Sequence, residues 1–188
     1  MQTVTDFQSS IQSLAAEQGS AYLAKMQRLA LDASLVELSV SQEWKQQIYR
    51  TIALRIRAIN QELETHLALC QNCFHPPQRL SVQIFATPFA QQLKIDALCN
   101  LETDPITILI DVGRIVREDW LCAIAHEYAH AQVGIAGHHE AFLETLTHLC
   151  LGLGLTPPPP GGLSESELRN WPPCQPTRDA LAFWLGEQ

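Results

Sequence analysis

Trp120-Leu121-Cys122-Ala123-Ile124-Ala125-His126-Glu127-Tyr128-Ala129-His130 ends an apolar run with an H-E-x-x-H motif. On a helix, residues i and i+4 stack on one face, so the imidazoles of His126 and His130 can reach one metal ion. Glu127 then stands beside that ion, where it can take a proton from a metal-activated water. The pattern points to zinc-dependent hydrolysis.

Three fixed positions in five recur by chance, so the context of the motif carries the weight. Trp120, Leu121, Ile124, Ala125, Tyr128 and Val133 predict a largely apolar helix over about 117–133, with Arg117-Glu118-Asp119 near its start. Polar side chains on a buried helix cost free energy unless something compensates them, and a metal would. The alternative, a surface helix with solvated histidines, conflicts with the Ala, Leu and Ile on its other sides.

Catalytic zinc takes three protein ligands and keeps an open position. Gly134 and Gly137 can end the first helix and turn the chain. A second helix is expected from 138 to about 152, with Phe142, Leu146, Leu149 and Leu153 as its apolar stripe. His138 on its first turn can swing back over the first pair. Glu140 and Glu144 are carboxylate alternatives for the third ligand.

His126-Glu127-x-x-His130, a short glycine-containing link and His138-x-x-x-Phe142 resemble the metal-site region of SprT-like and YgjP-like (WLM-type) zinc metallopeptidases. The likeness covers roughly residues 80–153 and includes a strand resembling Ile106-Thr107-Ile108-Leu109-Ile110 before the metal-site helix. It selects His138 over His139, because the third histidine of the pattern precedes a phenylalanine by four positions. It implies one Zn2+ per chain held by His126, His130 and His138, with Glu127 as general base, in an α+β zincin-like fold. The chain also departs from these families. Ala97-Leu98-Cys99-Asn100 stands where YgjP-like chains carry Trp-Gly-Ser-Cys. The cysteine-rich ribbon that often follows the site in SprT-like proteins is reduced here to Cys150 and Cys174. Metzincins fit less well, since position 136 is alanine where their spacing needs histidine.

Around this core the chain divides into three sections: a helical one at 1–75, the metallopeptidase-like core at 76–156, and a tail at 157–188. Phe7, Ile11, Leu14, Tyr22, Met26 and Leu29 recur near helical spacing. Trp44, Ile48, Ile52, Ile56, Ile59, Leu63 and Leu67 do so more clearly, after Ser41 as N-cap. Two long helices are expected to support the catalytic layer, and they offer a surface to a possible protein partner. His66, on the second, has no ligand-spaced companion and reads as structural.

After Pro76-Pro77 the pattern turns to alternation: Leu80, Val82 and Ile84, then Leu93, Ile95, Ala97 and Cys99. Thr103-Asp104-Pro105 marks a turn before the 106–110 strand. A small antiparallel sheet is expected, with the 93–99 strand as the edge that an extended substrate could join. In the tail, Pro157 to Gly162 predicts an extended linker. Ser164-x-x-Glu167 predicts a capping box, and Thr177 an N-cap for a last short helix. Trp171 and Trp184 suggest docking on the body.

At 188 residues and 46% hydrophobic content the chain can bury a sizeable core. The net charge of −8, from 12 basic and 20 acidic residues, argues against a nucleic-acid partner. Met1 to Gly19 lacks a basic n-region and an apolar core, and no apolar run approaches a bilayer span. A cytoplasmic enzyme with no membrane association is expected, its six cysteines reduced. Cys70-x-x-Cys73 with His75 is only half a metal site and reads as ordinary thiols at a helix end. Cys122 and Cys150 read as core.

The expected reaction is peptide-bond hydrolysis of a peptide or protein. Candidate oxyanion donors are His139, His148 and Tyr128, and candidate partners of the ligand imidazoles are Glu140, Glu144 and Asp111. Two other readings use the same site: a zinc-stabilised binding or assembly module without catalysis, and a metallohydrolase of a non-peptide bond.

Overall fold

A computed structural model describes residues 4–161 and 163–187, with side chains from residue 10 onward. It is an α+β arrangement of six helices and one three-stranded mixed sheet. Helices α1 (Val4–Leu29) and α2 (Gln42–Asn72) come first, followed by strands β1 (Val82–Ala86), β2 (Ala97–Asn100) and β3 (Ile106–Ile110). Helices α3 (Trp120–Val133), α4 (Glu140–Leu153), α5 (Glu165–Leu168) and α6 (Ala180–Leu185) complete the chain.

The helical section forms where periodicity placed it. Ser41 caps α2 by accepting from the Trp44 amide at 3.3 Å. Ile48, Ile52, Leu63 and Leu67 are buried along α2, and Met26 along α1. The stripe does not hold to the helix starts, however. Ile11, Leu14 and Trp44 are 51%, 56% and 47% exposed, because no other element covers those turns enough to bury them. The Phe7 side chain lies outside the described residues.

The sheet corrects the antiparallel expectation. Its order is β1-β3-β2, with β3 antiparallel to β2 (Ala97 opposite Ile110) but parallel to β1 (Val82 opposite Ile106). Alternation sets which face a strand buries, not the direction of its neighbour; between β1 and β3 the chain reverses twice, into β2 and back, so β3 runs the same way as β1. The central place of β3 suits its composition. Ile108, Leu109 and Ile110 are all buried, as a strand covered on both faces requires. The edge strand is shorter than expected, since residues 93–96 approach β2 as irregular backbone.

Helix α3 is the pivot. It packs on α2, α4, β2 and β3, which is why nearly every side of it is apolar and why Ile124 and Tyr128 are fully buried. A single 3-10 turn (Arg117–Asp119) precedes it, and Gly134 closes it with φ 70°, a conformation a side chain would strain. Leu23, Ile52, Ile108, Ile124, Leu149 and Trp184 belong to one hydrophobic cluster, so all three sections share a core.

The tail docks as its tryptophans suggest. Buried Asp111 accepts from Trp184 Nε1 at 2.7 Å, from the Phe89 and Gly113 amides at 2.9 and 3.1 Å, and from Arg114 Nε at 2.9 Å. Ser164 and Glu167 form the expected capping box of α5. Thr177 is not the cap of α6: its hydroxyl donates to the Gly113 carbonyl, and Asp179 caps the helix instead. Among the described residues no helix is long and apolar enough to cross a membrane.

Candidate metal centre

His126, Glu127 and His130 come from the last two turns of α3, while His138 comes from the link before α4. Helix α4 begins at Glu140, with His139 at its N-cap, so His138 lies just ahead of the helix rather than on its first turn. That placement frees its backbone to turn toward α3. The ligand nitrogens of His126, His130 and His138 all lie within 4.8 Å of one another. The Nε2 atoms of His126 and His138 are 3.2 Å apart. Two nitrogens on a tetrahedral metal, each at about 2.0–2.1 Å, would be roughly 3.4 Å apart, so this separation fits a shared ion.

The spacing from His138 to Phe142 has a structural cause. Phe142, fully buried on α4, packs against all three imidazoles, with ring centroids 5.0, 4.4 and 4.8 Å from those of His126, His130 and His138. It is the apolar floor of the triad. Glu140 and Glu144 are exposed and stand outside the group.

The tautomer of His126 follows from its partner. Its Nδ1 lies 2.8 Å from the Trp171 carbonyl oxygen, which can only accept, so Nδ1 carries the proton and Nε2 presents a lone pair to the triad. This partner replaces those expected from sequence. Asp111 is committed to the tail hub, and neither Glu140 nor Glu144 bonds a ligand imidazole. A carbonyl 45 residues downstream leaves no motif to find. Nδ1 of His138 is buried without a hydrogen-bond partner among the described residues.

Electrostatics favour ligation. Burial lowers His126 to about 4, and burial with the neighbouring imidazoles lowers His130 to about 3. Both rings are therefore neutral at physiological pH and free to donate lone pairs. Burial pushes the Glu127 carboxyl up to about 8, with the residue only 8% exposed. A three-imidazole set suits several first-row metals, zinc among them.

A cleft of about 640 Å³ opens onto the triad and Glu127. One wall is the approach to β2 and the strand itself, from Lys94 to Cys99. The opposite wall is the tail, including Arg169, Asn170, Trp171 and Cys174. The three sequence-derived oxyanion donors do not line it. The Tyr128 hydroxyl accepts from Gln132 at 2.7 Å, His148 bonds the Cys73 carbonyl at 2.8 Å, and His139 is exposed at the N-cap of α4. Glu165, Arg169 and Asn170 are polar tail residues at the cleft that sequence reading missed. Among the described residues the Cys70-x-x-Cys73 pair gathers no metal group, and the buried Nδ1 of His66, which is not part of the triad, has no hydrogen-bond partner. The chain matches no protein-family model, no curated protein and no solved structure, so its own geometry carries the argument.

Proposed function

We propose that this chain is a zinc-dependent metallopeptidase of zincin-like architecture, as the likeness to SprT-like and YgjP-like enzymes implies. The observation that carries the reading is the buried Glu127 carboxyl beside three converging neutral imidazoles, at a cleft whose wall is a sheet edge. Strand β2 pairs only with β3 within the sheet, so its outer edge is available to an extended peptide. That geometry favours a peptide over a compact non-peptide substrate.

Zinc, when bound, supplies Lewis acidity to a water and to the scissile carbonyl. The chain does the rest. His126, His130 and His138 would hold the ion, and the Trp171 carbonyl fixes the His126 ring. Glu127 accepts the proton of the attacking water and returns it to the leaving amine. A cation beside Glu127 favours its carboxylate, offsetting the upward push of burial. Asn170 and Arg169 are the donors at hand for a developing oxyanion.

The test is Glu127→Gln, assayed on a peptide library with metal content measured in parallel. We expect zinc retained and turnover reduced by at least about a hundredfold, the scale of general-base loss. Undiminished turnover in the variant would remove Glu127 from the mechanism. Zinc-dependent folding of the wild type without turnover on any peptide would favour the binding-module reading, and turnover confined to esters or other bonds the non-peptide hydrolase.

A further inference from the structure

Four of the six cysteines have other surroundings, but Cys122 and Cys174 meet where the tail crosses the start of α3. Cys122 occupies the first turn of α3, four residues before His126 and on the same face. Cys174 follows Trp171 by three residues. The tail is pinned here: Gln175 N donates to Asp119 Oδ2 at 2.7 Å, and Cys174 Sγ lies 3.8 Å from the Asp119 carbonyl oxygen. This brings the Cys122 and Cys174 thiols within hydrogen-bonding reach of each other. Both are half-buried, so a small oxidant can reach them. Cys70 and Cys150 are fully buried, Cys73 packs against Gly152, and Cys99 faces Glu127.

We infer that Cys122 and Cys174 are a redox-active pair whose disulfide clasps the tail, and with it the Trp171 carbonyl, onto the metal-site helix. The inference rests on the three-histidine site but not on peptidase activity. Chemically the two thiols are unequal. The hydrogen bond from Cys174 stabilises the Cys122 thiolate and lowers that thiol, while the same contact and burial push Cys174 up. Cys122 is thus the attacking sulfur. With hydrogen peroxide as oxidant, its thiolate forms an S–O bond as the O–O bond breaks, and hydroxide leaves to become water. Cys174 sulfur then attacks the sulfenic sulfur, forming the S–S bond; the second hydroxide leaves and takes the Cys174 proton as water. Two thiols and one peroxide become one disulfide and two waters.

The clasp would act on the cleft without entering the chemistry. Trp171 Nε1 donates to the Thr156 carbonyl at 3.1 Å and the Trp171 carbonyl accepts from His126, while residues 175–177 bond the backbone of Arg114 and Val116, so the stretch that carries Trp171 is held by hydrogen bonds alone. A covalent tie removes the opening that would release both the tail and the His126 acceptor.

The test uses the full chain with zinc, treated with hydrogen peroxide and then mapped by mass spectrometry. Free thiols should fall from six to four, with one linked peptide pair containing Cys122 and Cys174, reversed by dithiothreitol. Cys122→Ser and Cys174→Ser should each abolish it, and Cys99→Ser should not. In the oxidised wild type, trypsin cleavage at Arg169 and zinc loss to a chelator should both slow by about tenfold, the lower end of outer-sphere effects on metal retention. A different pairing, such as Cys70 with Cys73, or six surviving thiols would overturn the inference. So would a Cys122–Cys174 disulfide that slows neither cleavage nor zinc loss. None of these readouts depends on hydrolysis, so a failed peptidase assay leaves the inference standing.

Discussion

The Trp171 carbonyl accepts the Nδ1 proton of His126 at 2.8 Å, tying the C-terminal tail to the metal-site helix. A metal ligand oriented this way has its donor nitrogen fixed before metal arrives, so the tail is part of the centre. Trp171→Ala removes the ring that anchors this carbonyl through Thr156. We expect zinc affinity to fall by about tenfold to a hundredfold in a competition titration, with the metal-free melting temperature changed far less. Unchanged affinity would mean that the carbonyl stays in place without its anchor.

The third ligand can be settled by substitution. His138→Ala should remove most bound metal, measured per chain by elemental mass spectrometry. Glu140→Ala and Glu144→Ala should keep it, because both carboxylates are exposed outside the triad. Metal that survives loss of His138 but not of Glu140 would reverse the assignment.

Acid should destabilise the metal-free protein through its histidines. Folded His126 sits at about 4 and His130 at about 3, while an unfolded imidazole titrates near about 6.5. Between those values the unfolded chain binds more protons, so stability present above about pH 6.5 is lost as the pH falls toward the folded values. Below them these two groups add no further loss. The more buried His126 accounts for about 3 kcal/mol at most. Chelated protein melted from about pH 7 to about pH 4 should show this slope, and His126→Gln should flatten it. An equal slope in that variant would place the effect elsewhere.

Gly113 marks how tightly the tail is seated. A Cβ there would come within 2.5 Å of the Ala180 carbonyl oxygen and 2.8 Å of Trp184 Nε1. Gly113→Ala should push α6 off the Asp111 hub and cost about 1–3 kcal/mol in chemical denaturation. A neutral result would show that α6 shifts without losing its bond to Asp111.

The helical period alone put His126, Glu127 and His130 on one part of one helix, and the apolar residues between them required that helix to be buried. Ser41, Gly134 and the Ser164 capping box marked helix ends because each satisfies backbone groups only a few residues away. His138 is singled out by the family resemblance, in which the third histidine precedes a phenylalanine by four positions, and the ring of Phe142 forms the floor of the triad. All of these are local relations, and local relations are what spacing encodes. The order of the sheet, the exposure of Trp44, the tautomer of His126 and the pairing of Cys122 with Cys174 depend on contacts between segments far apart in sequence. Asp111 illustrates the limit: a buried carboxylate near the motif in sequence had the type of a ligand partner, yet Trp184, 73 residues on, claims it. Which of several chemically suitable partners a buried polar group takes is decided by packing, because desolvation makes that group bond whatever the tertiary fold brings within reach.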